Sequence, residues 1–303
     1  MRESFDVVVC GGGPAGLAAA ITAAERRLSV LVLERRAFPP DKACGEGLLP
    51  PAVQALDRLG ALAHVPPGSC HRFRAVRFIQ EDGSSADAML PREGGLGIRR
   101  TVLAEALGRR ASDLGVMLRD RCAVRSVDRR GVEAVVETED GAVFRPPRRR
   151  RRRPSFAAAT SRRSGALAGA EAPLRASAAL SHRALERLRR SLRRREGRSR
   201  RDAGLLIGDA AGFVDSISAD GLSIAFNSAL LLGRALPQAL SRGAARSSFR
   251  EYERGERRLF RSYWALTNGL LWIAEHPRFR RSLIHVLGRH PSLGRTRWTG
   301  RCA

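Results

Sequence analysis

Short unbroken apolar runs alternate along this chain with glycine-rich turns and longer helical stretches. Phe5–Cys10, FDVVVC, is such a run and ends in GGGPAG. LAAAITAAERR (17–27) follows with good helix formers, and LSVLVLE (28–34) is a second strand-like run. Runs this short, bounded by glycine, fit buried strands, and the order strand, turn, helix, strand predicts a parallel α/β unit. The same order returns in Gly204–Gly233, GLLIGDAAGFVDSISADGLSIAFNSALLLG. FRAVRFIQ (73–80) reads as a strand, and VEAVVETEDGAVF (132–144) as a hairpin turning at Asp140-Gly141. Near the C-terminus a helix ended by His-Pro repeats at a 14-residue interval, Pro277 to Pro291. Its Trp264, Leu271 and Trp272 are expected to pack on the core rather than touch lipid.

One interval breaks this pattern. Between Phe144 and Gly204 there is no Val, Ile, Tyr or Trp, and a single phenylalanine, Phe156. Runs of Arg, Ala, Ser and Pro cannot supply the strands of a sheet. At best, 180–195 forms one amphipathic helix carrying Leu185, Leu188 and Leu192. The interval opens with RPPRRRRRRP (145–154). The formal charge is +25, and residues 145–201 hold 20 arginines against three acids, so 17 of that excess lies there. The rest of the chain is only mildly basic. As a nucleic-acid arm the tract would bind phosphates without sequence preference, and it lacks interleaved aromatics for stacking. As a membrane-surface patch it would meet anionic headgroups. The reading preferred here is a frameshifted or deleted interval. Lys42 is the sole lysine beside 54 arginines, as a GC-rich gene gives, and out-of-frame GC-rich DNA encodes mainly Arg, Ala, Pro, Gly and Ser. A plain linker is the remaining alternative.

The first forty residues carry the chemistry. Gly11, Gly13 and Gly16 match G-x-G-x-x-G, with Pro14 and Ala15 between. Gly11 permits the tight turn, Gly13 lets backbone approach a pyrophosphate, and Gly16 lets helix and strand pack closely. Pro14 suits the first helical turn, where its missing N–H is no loss. The helix start offers N–H groups and a positive dipole end to phosphates. Glu34, at the end of the second strand, would accept hydrogen bonds from a ribose diol, with Arg35 beside it. This motif alone does not separate NAD from FAD. The five cysteines form no CxxC pair and read as reduced thiols, and the six histidines show no metal spacing, so no metal is expected. No run approaches the ~18 apolar residues of a membrane span, and no signal peptide is visible, so a cytoplasmic location is expected.

Gly204–Gly233 resembles the second flavin motif of FAD-dependent oxidoreductases. That resemblance implies that Asp209 holds the ribityl chain and that Gly221 and Leu222 present backbone to the isoalloxazine. FPPDKACGEGLLPPAVQALDRLG (38–60) and GLGIRRTVLAEALGRRASDLGV (95–116) resemble the geranylgeranyl reductase-like group of the FAD-dependent monooxygenase and reductase superfamily. Here the implied cofactor neighbours are Cys44 and Glu46, then Arg100 with Arg99 second, and Val124 at the adenine. The implied fold class is α/β: a Rossmann-like FAD-binding domain of parallel sheet and helices, a truncated antiparallel substrate sheet, and C-terminal helices. The FAD-binding domain is expected at 1–144 and 204–245, with the substrate sheet beginning at 70–92. The Arg-rich segment, disordered or frameshifted, would cover 145–203, and the helical segment 246–303. Three positions depart from the family pattern: Ser216 for proline, Ala219 for glycine, and Ala104 for aspartate. The implied reaction is flavin-mediated reduction or monooxygenation of an apolar, isoprenoid-type small molecule, impaired in this chain. FAD is the implied cofactor, and NAD(P)H, lacking a second fingerprint, would dock only transiently. No specific nucleic-acid partner is expected. Peripheral contact with the inner membrane face, and a non-catalytic flavin- or polyanion-binding protein, stay open as alternatives. Catalytic residues and oligomeric state are not identified.

Overall fold

The structure, a computed structural model, describes residues 5–41, 46–130, 133–144, 156–159, 200–201, 204–212, 215 and 217–290. At its centre is β1 (Val7–Cys10), flanked in parallel by β2 (Val30–Leu33) and by β12 (Phe156–Ala159). β8 (Met117–Arg119) lies outside β2, and β14 (Gly204–Leu206) outside β12, both parallel. The two-residue β13 (Arg200–Arg201) closes that edge in antiparallel register. VVVC and VLVL are buried throughout, as strands covered on both faces must be.

The two faces bury alternate residues of β1. Val7 and Val9, with Val30 and Val32, join the core beneath α1 (Pro14–Ala24), α2 (Pro50–Arg58), α3 (Arg100–Asp113) and α4 (Gly221–Ser241). Val8 and Cys10, with Leu31 and Leu33, meet Ala134, Val136 and Phe144 on the other side. Those residues belong to a meander of β9 (Val124–Arg130), β10 (Glu133–Thr138) and β11 (Val143–Phe144), which contains the expected turn at Gly141, φ 85. Helices α1 and α4 touch closely. A Cβ on Gly233 would lie 2.6 Å from Thr22 Cβ, and the Thr22 hydroxyl donates to Ala229 O at 3.1 Å.

Three expectations need correction. Residues 145–203 do supply sheet material: Phe156–Ala159 forms a strand in the middle of the parallel sheet, not of a substrate sheet. A four-residue strand paired on both sides is held by main-chain bonds, and side-chain propensity decides less there. The helix expected at 180–195 lies outside the described residues. Residues 73–80 form not one strand but two, since β4 (Cys70–Phe73) pairs with β7 (Gly95–Ile98) while β5 (Ala75–Ile79) pairs with β6 (Ser85–Met89). β7 also pairs with β3 (Gly47–Leu48).

The third correction concerns the C-terminal helices. α5 (Arg250–Glu275) and α6 (Pro277–Arg289) break at His276, where Pro277 starts the second helix. Leu271 is buried, but Trp264 and Trp272 are 42% and 48% exposed. The buried face of α5 is taken instead by Tyr252, Tyr263, Thr267 and Leu271. α6 lies on the β5–β6 hairpin, with Arg280 Nε donating to Gln80 Oε1 at 3.3 Å and Arg281 3.6 Å from Asp82.

Candidate functional site

The C-terminal end of β1 leads through a glycine turn into α1, with β2 and β12 paired on either side of it and β14 one strand beyond β12. In open α/β sheets such a switch point is where ligands bind. Gly11 turns there with φ 118, and its N–H donates to Leu33 O at 2.7 Å. Glu34 then fixes the glycine loop directly. One carboxylate oxygen accepts from Gly12 N at 2.7 Å, and the other from Arg36 N at 3.0 Å. A Cβ on Gly12 would stand 3.0 Å from Glu34 Cβ, so the loop and the acid pack with no side chain between. Glu34 is buried, yet a carboxylate has about four acceptor positions, which leaves room for ribose hydroxyls.

Gly13 caps α1 without a side chain, and Pro14 opens the helix as expected. The Arg100 guanidinium lies 3.9 Å from where a Gly13 Cβ would be. Arg100 Nε is buried with no hydrogen-bond partner among the described residues. Its backbone N–H, at the first position of α3, donates to Glu46 Oε1 at 3.1 Å. Glu46 itself sits at φ 54 and accepts from Ile98 N through its carbonyl. The second motif reaches the same place. Gly208, at φ 61, would put a Cβ 2.8 Å from Ala15 Cβ and 3.7 Å from Ala225 Cβ. The exposed Asp209, on the turn Gly208–Ala210, thereby sits beside the start of α1.

The loop into α4 is held from behind by α5. Tyr263 OH donates to Asp215 O at 2.8 Å and accepts from Asp215 N at 3.3 Å. Thr267 and Ser218 hydroxyls lie 3.1 Å apart, in a buried contact. Ala219 adopts φ 54, a conformation that favours the glycine it replaces. Asp220 occupies the N-cap of α4 but its side chain makes no capping bond. Burial instead pushes its carboxyl up to about 6. Around the Cβ position of Gly221 there is open space within 4 Å.

Most expected residues therefore come together. Gly11, Gly13, Pro14, Ala15, Glu34, Arg100 and Asp209 surround the start of α1, and Gly221 with Leu222 lies one short loop away. Gly16 is buried within α1, and Arg35 is exposed beside Glu34. Val124 packs on the cluster that contains Cys10 and Leu33, the last residues of β1 and β2. Cys44 lies outside the described residues. Gly12, Tyr263 and Thr267 were not expected. The triple glycine hinted at the first, while nothing local marks the other two. Among the described residues no cluster of His, Cys, Asp and Glu could hold a metal ion.

The cradle fits FAD. Two bare glycines, the N-terminus of a helix and a guanidinium whose buried Nε lacks an acceptor make a place for a pyrophosphate. In that arrangement Glu34 would hold the adenosine ribose, Asp209 the ribityl chain, and the start of α4 the ring. FAD, when bound, supplies two-electron redox chemistry.

Comparison with known proteins agrees. The family model described as FAD dependent oxidoreductase matches residues 6–40. Menaquinone reductase of Mycolicibacterium smegmatis is 35% identical over 149 residues, 46% of this chain and 35% of that protein. Digeranylgeranylglycerophospholipid reductase of Methanosarcina mazei is 32% identical over 126 residues, 39% of this chain and 29% of that protein. The aligned stretches thus span about a third of these relatives' own length. The p-nitrophenol 4-monooxygenase PnpA of Pseudomonas putida shares the fold, with a TM-score of 0.72 and 18% identity over 97% of this chain and 96% of that one. The chain is thus similar to FAD-dependent oxidoreductases over residues 6–40, and it shares its overall fold with a monooxygenase.

Proposed function

We propose that this is an FAD-binding oxidoreductase acting by flavin-mediated reduction or monooxygenation on an apolar, isoprenoid-type molecule, with turnover impaired in this chain. The observation that carries the reading is Arg100, whose Nε is buried without a partner and whose terminal guanidinium nitrogen lies beside Gly13 at the start of α1. A buried guanidinium nitrogen without an acceptor costs stability unless a ligand supplies one. Reduction is the closer fit, because the relatives similar in sequence are named for reducing menaquinone and a digeranylgeranyl lipid, both isoprenoid compounds. NAD(P)H, in this reading, delivers electrons by transient docking.

This chain's residues bind and orient. Glu34 holds the glycine loop, Glu46 fixes the start of α3 and so the direction of Arg100, and Tyr263 with Thr267 steadies the loop before α4. Water exclusion is the weak point. Among the described residues the β5–β6 and β3–β7–β4 sheets give only two and three strands of cover, and coupled flavin chemistry depends on a shielded site. The test is anaerobic single turnover, in which reduced holoprotein is mixed with an isoprenoid quinone and product per flavin is counted, then repeated in air with peroxide measured. The reading expects little product and abundant peroxide. Stoichiometric product would show an intact substrate site.

A further inference from the structure

α5 carries a second face that the flavin site does not use. Arg250, Arg254, Arg257, Arg261, Trp264 and Trp272 are all exposed, and their spacing of three, four or eight residues puts them on one stripe. It runs alongside the buried face of Tyr263, Thr267 and Leu271, with Trp264 at the boundary between the two. At the corner into α6 the stripe ends in an aromatic cluster. Trp272 stacks on His276 with ring centres 4.3 Å apart and meets Phe279 edge-on at 5.1 Å. His276 Nδ1 also lies 2.7 Å from Trp272 O, so the ring is held in place. Phe279 is 47% exposed, and Val286, two turns further along α6, is 46% exposed.

We propose that this stripe docks the protein on an anionic phospholipid surface. The charge decides the occupant. Residues 250–290 hold nine arginines against four acids, and the exposed ones border the tryptophans. The chain's own 145–201 segment, with its excess of 17 positive charges, is repelled from such a face. A second copy would bring the same arginines and a net charge of +25. Anionic headgroups satisfy the guanidinium groups, and tryptophan and phenylalanine favour the boundary between headgroup and acyl chain. No helix among the described residues is long and apolar enough to cross a membrane, so the contact is interfacial. The inference stands apart from flavin binding, and its test reads tryptophan rather than flavin.

The protein has three tryptophans, so Trp298→Phe leaves Trp264 and Trp272 as the only reporters. This variant is mixed with vesicles of phosphatidylcholine alone, or of phosphatidylcholine and phosphatidylglycerol in equal parts, with and without acyl-chain bromination. The expected result is a blue shift and bromine quenching on the mixed vesicles only. Trp264→Ser and Trp272→Ser should each weaken partition severalfold while leaving far-UV circular dichroism and FAD affinity unchanged. Arg254→Gln with Arg257→Gln and Arg261→Gln should reduce the preference for anionic vesicles. Binding without quenching would place the contact elsewhere, in the arginine tract, and overturn the proposal. So would a blue shift that appears on concentrating the protein without vesicles, which would mark pairing between copies. Failure to bind overturns it outright.

Discussion

Replacing Glu34 with alanine should damage the protein before any ligand is added. Its carboxylate accepts two backbone N–H groups, a buried one from Gly12 at 2.7 Å and a half-buried one from Arg36 at 3.0 Å. Hydrogen bonds to a charged group contribute about 1.5–3 kcal/mol, and an orphaned buried donor costs about 1–3 kcal/mol. Arg36 N can turn to water more readily than Gly12 N, so the Gly12 bond dominates. The sum is a loss of about 2–4 kcal/mol in the apoprotein. At about 2–4 °C per kcal/mol for chains of 150–250 residues, that is a fall in Tm of about 5–15 °C. FAD affinity should fall by a further ~1–3 kcal/mol, about 5- to 150-fold, from ribose hydroxyls left without an acceptor. Glu34→Gln keeps one oxygen for Gly12 N and should lose about half as much stability. Urea unfolding of the apoprotein measures the first effect, and titration with FAD the second. An apoprotein variant with an unchanged urea midpoint and weakened FAD binding would show that Glu34 serves the ligand alone, refuting the argument that it holds the loop.

Other expectations follow from single contacts. Gly208→Ala adds a methyl 2.8 Å from Ala15 Cβ at φ 61, so it should cost about 1–3 kcal/mol and weaken FAD binding, read by thermal melting and flavin titration. Asp220 has its folded pKa raised from 3.8 to about 6 by burial, so its native state holds the proton longer than the unfolded chain. Its contribution is therefore present below pH about 4 and is lost as pH rises through about 6, a penalty of about 3 kcal/mol at neutral pH. Asp220→Asn should abolish that fall, and urea unfolding of both proteins at pH 4.5 and 7.5 checks it; parallel pH dependence would refute it. Tyr263→Phe removes the bond to Asp215 O and should speed amide hydrogen exchange at Ile217, with stability lowered by about 1 kcal/mol.

Where chemistry and periodicity coincide, the sequence was readable. Gly11 to Glu34 and Gly208-Asp209 sit where local pattern put them, because a strand–glycine–helix turn is specified by neighbours in the chain. Contacts between distant segments were not readable. Glu46 capping α3, Tyr263 gripping Asp215 and Glu34 binding Gly12 N depend on how elements pack, and single-residue composition does not report packing. Phe156–Ala159 was missed for a related reason: its place in the sheet comes from β1 and β14 on either side, and three alanines carry no strand signal of their own. Trp264 and Trp272 misled in the opposite sense. Large apolar residues usually lie inside, but on α5 the buried stripe belongs to Tyr263, Thr267 and Leu271, and the tryptophans fall at its exposed border.

The central claim is that the glycine loop, Glu34 and Arg100 form a site for the adenosine diphosphate half of FAD. Equilibrium binding of the purified protein to FAD, FMN and NAD, followed by flavin fluorescence and by competition, tests it most directly. The account predicts saturable binding of FAD, none of comparable strength for FMN, which lacks the adenosine half, and little displacement of FAD by NAD. Equal affinity for FMN and FAD would contradict it.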